Sequence, residues 1–140
     1  MKFYAWISVW AAVLCHGCYY GYDIQTEVTK IQSADFAPNP GLIEVYFGET
    51  QPERKYEQIA FLEVVGEKYS ATDSLLARMK EEAGKIGADA VIFIKKYHKN
   101  RERGDLVADV INIGNENHEI EGYFAPLLMG VAIRYQHGSE

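Results

Sequence analysis

One amphipathic helix, closed by a glycine and followed at once by a buried strand, constrains this chain more than any other feature. Leu76, Met79, Ala83 and Ile86 recur at helical spacing, with Leu75 beside them. Ser70 opens an S-x-x-D start with Asp73, a weak form of the capping box, and Thr72 is the other candidate N-cap. Arg78, Glu81, Glu82 and Lys85 take the outer surface, where Glu81 and Lys85 make an i,i+4 pair worth about 0.2–0.5 kcal/mol. Gly87 is the natural residue to end the helix, because it enters the left-handed conformation without a Cβ penalty. Residues 91–94 then have the composition of a buried strand.

The remaining hydrophobic runs are short enough for strands. Residues 42–47 (LIEVYF) put Ile43, Val45 and Phe47 on one face. Residues 56–66 put Ile59, Phe61 and Val65 on one face, with Glu63 an exception, and Ala60, Leu62 and Val64 on the other. Both faces are mostly apolar, so this strand is expected to be central. Residues 106–113 (LVADVINI) alternate well enough for another strand, and 114–121 form a polar turn region. Residues 127–135 (LLMGVAIRY) read as the closing strand, with Gly130 where a bulge or close backbone approach is expected. The predicted fold is α+β: a curved, largely antiparallel sheet of about four to five strands with one main helix packed on it. One helix covers one face. The second face must meet water, a partner or another copy, and Ala60, Leu62 and Val64 are the expected members of that exposed set.

The N-terminus points to export. Residues 3–14 are an uncharged, strongly apolar run of twelve, preceded by Lys2. Twelve helical residues rise about 18 Å, short of a ~30 Å hydrocarbon core, so the run fits a signal-peptide h-region better than a membrane span. Gly17 precedes Cys18, and this end of the run resembles a bacterial lipoprotein signal, in which the cysteine after a small residue is lipidated and becomes the new N-terminus. Cys15 and His16 stand where that pattern prefers Leu and a small residue. Ordinary secretion with cleavage nearby and a short uncleaved anchor are the alternatives. The expected organisation is a signal peptide at 1–17, a lipidated start and linker at 18–41 with a short strand possible around Glu27–Ile31, the folded domain at 42–136 and a tail at 137–140. Tyr19, Tyr20 and Tyr22 would suit a membrane–water interface or serve as plain linker residues. No cysteine follows Cys18, so the domain needs no disulfide. The formal net charge of −6 becomes −7 once residues 1–17 are removed, which argues against nucleic acid and gives no reason to lie flat on an anionic membrane.

Three stretches together carry a family resemblance: 56–59 (YEQI), 85–92 (KIGADAVI) and 130–134 (GVAIR). They resemble the YbjQ/RcsF-like group of small α/β proteins, a group that includes many bacterial lipoproteins. The resemblance covers roughly residues 42–136, and GADAVI is its most specific element. It implies a dodecin-like fold with a helix across a curved sheet, and little chemistry. The disulfide-held sensing role known in part of that group cannot be carried over, since the domain has no cysteines.

Catalytic signals are scarce. His98, His118 and His137 lie far apart and outside any HExxH or i,i+4 arrangement, so no metal site and no cofactor is expected. Ser70 and Ser74 sit in no nucleophile elbow, and the chain has neither a P-loop nor G-x-G-x-x-G. Asp89 fits a structural turn with Gly87, accepting backbone N–H groups, better than a lone catalytic carboxylate. Lys95, Lys96, Lys99, Arg101 and Arg103 form a candidate binding patch for an anionic or acidic partner, with a solvated strand end and loop as the plainer alternative. The sequence therefore points to a non-enzymatic, lipid-anchored envelope protein, on the outer membrane and facing the periplasm, that acts by binding or assembly. Its expected partners are the membrane through the lipid, and a second copy or an envelope protein. A ring-forming small-ligand binder and an enzyme built around Asp89 and the histidines are the rival classes.

Overall fold

The computed structural model describes residues 19–20, 23–105 and 121–136. Cys18, Tyr22, His118, His137 and the expected strand at 106–113 lie outside them. The chain divides into two compact units: Ile24–Lys99 with Phe124–Glu140, and Met1–Asp23 with Asn100–Tyr123. Its elements are β1 (Tyr19–Tyr20), β2 (Gln25–Lys30), β3 (Glu44–Phe47), β4 (Tyr56–Val65), α1 (Thr72–Lys85), β5 (Ala90–Asp105) and β6 (Glu121–Tyr135).

The larger unit is the predicted α+β arrangement, a mostly antiparallel open sheet with one helix packed on it. The strand order is β5-β6-β4-β2, with β3 on β5. Strand β4 is central, pairing antiparallel with β2 on one side and β6 on the other. Strand β3 runs parallel to β5. The helix turns Leu75, Met79 and Ala83 onto Ala60, Leu62, Val64, Leu128 and Ala132, all of them buried. Leu76 and Ile86 lie at the margin of this core, partly buried.

The two ends of α1 are built differently. At the start, Ala71 is the N-cap residue and no side chain caps the helix. Ser70 instead accepts a hydrogen bond from the Glu67 N–H at 2.8 Å, so its hydroxyl closes the preceding turn and the S-x-x-D pattern makes no capping box. Thr72 accepts from Lys96 Nζ at 3.0 Å. At the other end, Ala88 N–H donates to Ala83 O and Gly87 N–H to Gly84 O, the paired bonds of a Schellman motif. Gly87 sits at φ +78 with the backbone of Ala37 so close that a Cβ would lie 2.6 Å from its carbonyl oxygen.

The linker expected at 18–41 is a structural part of this unit from Ile24 onward. Strand β2 pairs along β4 from Gln25↔Val65 to Lys30↔Ala60. Further on, Asn39 N–H donates to Gly84 O, and Asn39 Nδ2 donates to Ala88 O and Asp89 Oδ1. The segment looks like a linker in sequence because its bonds are backbone and amide bonds that need few apolar side chains. The basic run at 95–103, expected as a solvated strand end and loop, is strand throughout, since β5 continues to Asp105.

In the smaller unit, β1 pairs antiparallel with the end of β5, Tyr19↔Asp105 and Tyr20↔Gly104. Arg101 is buried there and donates to Asp23 O at 2.7 Å and Asp23 Oδ1 at 3.2 Å. The Arg103 guanidinium lies 5.8 Å from the Tyr123 ring centre. No helix among the described residues is long and apolar enough to cross a membrane.

Candidate functional site

The sheet of the larger unit has two faces, and the helix covers one. The register Leu62↔Gly130 and Ala60↔Ala132 belongs to the covered face, whereas Phe61↔Val131 and Glu63↔Met129 belong to the open one. This reverses the sequence expectation, in which Ala60, Leu62 and Val64 were the exposed set. Alternation separates two apolar faces but carries no label for which the helix takes. An irregularity between Gln58 and Ala60 also moves Ile59 into the core beneath the helix, away from Phe61.

A groove of about 260 Å³ lies on the open face. Its floor is Phe61, Phe93, Tyr97, Met129 and Val131, and Glu27, Thr29, Glu63 and Lys95 border it. Phe61 is 53% exposed and Met129 is 42% exposed, large values for apolar side chains at the middle of a sheet. Phe93 on the groove's floor lies at a bulge in β5. Val45 and Phe47 of β3 pair with Val91 and Ile94, so β5 carries one extra residue. Phe93 absorbs it at φ +56, the left-handed region that a bulky residue enters only under strain. Val91 and Ile94 both stay in the core as a result, while Phe93 packs with Ile92, Val131 and Ile133. Across the bulge stands Gly130, where a Cβ would come within 2.7 Å of Val91 Cγ1.

The candidate basic residues are divided between the two units, Lys95, Lys96 and Lys99 in the larger and Arg101 and Arg103 in the smaller. Lys95 borders the groove, and Lys96 turns the other way to Thr72 at the start of α1. Lys99 pairs with Glu63 at 2.6 Å. Arg101 is buried against Asp23. Alternation turns only Lys96 away from Lys95 and Lys99; Lys99 is engaged by its ion pair with Glu63, and Arg101 by burial against Asp23.

Asp89 is placed by a different bond than its turn suggested. Its Oδ2 accepts the Tyr135 N–H at 2.8 Å, and Oδ1 accepts Asn39 Nδ2 at 3.1 Å, so the carboxylate ties the helix exit to β6 and to the segment before β3. His98 is exposed. Among the described residues no group of three or more His, Cys, Asp or Glu is placed to hold a metal.

A second polar cluster lies at the start of β3. Glu44 Oε2 accepts the Tyr46 hydroxyl at 2.8 Å and the Tyr135 hydroxyl, and Arg54 donates to Glu44 Oε1 at 3.0 Å. Arg54 also covers the Tyr135 ring, 4.0 Å from its centre. The Tyr135 and Tyr46 hydroxyls, followed by Arg54, hold the Glu44 carboxyl below the ordinary glutamate value. Burial, then the bond to Glu44, pushes the Tyr135 hydroxyl well above the ordinary tyrosine value. Both effects favour a neutral tyrosine donating to an ionised glutamate, an arrangement that ties β3 to β6.

Comparison of the chain with protein-family profiles, curated proteins and solved structures finds no match in any of the three.

Proposed function

We propose that this chain is a lipid-anchored protein of the bacterial cell envelope that acts by binding through the open face of its sheet, without catalysis. The observation that carries the reading is the groove: exposed Phe61, Tyr97 and Met129 on an apolar floor, bordered by charges of both signs. Binding faces are commonly made this way, with apolar and aromatic residues at the centre and a polar rim. Anchoring rests on the uncharged run at 3–14 followed by Gly17-Cys18. An outer-membrane site facing the periplasm and membership of the YbjQ/RcsF-like group belong to the same proposal, and GADAVI at 87–92 supports the latter.

An enzyme centred on Asp89 is disfavoured because both carboxylate oxygens already serve structural hydrogen bonds. A small-molecule binder fits less well than a macromolecular one. The groove's 260 Å³ is below the ~300–1,000 Å³ usual for ligand pockets, and it is open along the sheet.

The test compares the full chain with its Cys18→Ser variant. The parent should partition into the detergent phase and carry an acyl-modified N-terminal cysteine by mass spectrometry. The variant should lose both properties. A parent without acyl chains would end the anchor reading, and a groove indifferent to substitution in every binding assay would end the binding reading.

A further inference from the structure

The two margins of the groove differ in charge. Glu27 on β2 is exposed at one margin, and Lys95 on β5 is exposed at the other. Strands β6 and β4 lie between them, so the two are three strand spacings apart. That is about 14 Å, too far for an ion pair within one copy. Glu63 and Lys99 are already paired with each other across the face. Outside that pair, the face is acidic at one margin and basic at the other, with Phe61, Met129 and Val131 between.

We propose that the groove seats a second copy of this chain, in a closed two-fold pair whose axis lies between the two sheets and runs along the strands. This deepens the binding reading of the groove and is independent of the anchor. Rotation about such an axis exchanges the left and right margins. Glu27 of each copy then stands over Lys95 of the other, and the apolar floors meet at the centre. Each contact occurs twice, as an isologous interface requires. An axis running across the strands would stack acid on acid and base on base. Charge thus selects one orientation among the ways of stacking two identical faces. Facing sheets pack about 10 Å apart with their strands turned by about 30°, a separation that Phe61 and Met129 from both copies can fill.

The size of the face sets the strength. Four strands at ~4.8 Å and about five residues at ~3.4 Å span roughly 300 Å² per copy. Interfaces that small are transient, since stable ones bury ~1,200–2,000 Å² in total. The pair should dissociate in dilute solution and form at high concentration, and confinement of both copies to one membrane would raise their effective concentration.

The test uses the full chain in mild detergent at high concentration, with a carbodiimide that joins a carboxylate to a lysine only in direct contact. An equal mixture of light and heavy isotope-labelled protein should give a dimer band containing a Glu27–Lys95 linkage between one light and one heavy peptide. Glu27→Lys alone and Lys95→Glu alone should each weaken dimerisation by about tenfold in sedimentation, because both cross-contacts become like-charge. Mixing the two single variants should restore association, since the heterodimer pairs Lys with Glu at both positions. Phe61→Ser should abolish dimerisation while circular dichroism stays unchanged. A full chain that stays monomeric at high concentration overturns the proposal. So does a mixture of single variants no tighter than either alone, or a groove protected only when an envelope extract is added. A parent chain that carries no acyl group yet dimerises normally would defeat the anchor and leave this interface standing.

Discussion

The two faces of strands β4 and β6 come from alternating residues of the same sequence, yet they do opposite things. On the covered face Ala60, Leu62, Val64, Leu128 and Ala132 are buried against α1 and set the stability of the unit. On the open face Phe61 and Met129, their immediate neighbours in sequence, remain 53% and 42% exposed. The apolar residues of the first face hold the domain together, and those of the second are available to something outside it. Hydrophobicity alone does not distinguish the two roles. What does is the position of a single helix.

The sharpest break in that comparison is at Leu62. Leu62→Ala should cost about 2–5 kcal/mol, read from the midpoint of urea unfolding, because it empties a fully buried site beneath the helix. One residue away, Phe61→Ser should change the midpoint by no more than about 0.5–1 kcal/mol. Equal losses at the two positions would mean that the open face is closed by something within the folded domain.

Gly130 tests whether the β5 bulge holds the faces apart. Gly130→Ala puts a Cβ 2.7 Å from Val91 Cγ1, and overpacking of this kind typically costs about 1–3 kcal/mol. A wild-type melting temperature would show that the bulge relaxes freely.

Asp89→Ala should cost about 1–3 kcal/mol, because it leaves the Tyr135 N–H and one Asn39 amide bond without an acceptor. Asp89→Asn keeps an acceptor oxygen and should recover part of that loss. An Asn variant as damaged as the Ala variant would place the importance on the charge rather than on the hydrogen bonds.

The smallest effect is electrostatic. Glu44 is held below the ordinary glutamate value of 4.5 by its tyrosine donors, so its contribution to stability is present above that pH and is lost as the pH falls through its lower folded value. Wild type should lose stability more steeply than Glu44→Gln in acid, below about pH 4.5, when unfolding midpoints are compared over pH 3–6. The partial exposure of Glu44 keeps this difference small. Parallel pH curves would remove Glu44 from the account.

Much of the fold is legible in the residues. The helix at Thr72–Lys85 is visible in its apolar spacing and in Gly87, and Glu81–Lys85 forms the anticipated ion pair at 2.7 Å. Strands β3, β4 and the end of β6 show alternation. Strand β2 is only faintly legible, in Val28, Ile31 and the threonines, because QTEVTK is an edge strand whose bonds to β4 are backbone bonds. Less of the site is legible. Phe61 appears in the alternation, but Phe93 and Met129 look like ordinary core residues, and nothing local says that Phe93 will turn left-handed. The basic run at 95–103 misleads because Lys96 faces Thr72, Lys99 is paired with Glu63 and Arg101 is buried against Asp23, contacts with segments far away in the chain.

The sequence by itself determined the periodicities, and with them the helix at Thr72–Lys85, several strands, a glycine exit and an export-like start. Those are local properties, governed by backbone sterics and by the repeat of apolar side chains along a few residues. Only the tertiary structure decided which face the helix covers, where β5 accommodates its extra residue, and that Glu27 and Lys95 border one groove. These are outcomes of pairing between segments far apart in the chain, and a one-residue change of register at β4 or β5 exchanges inside for outside.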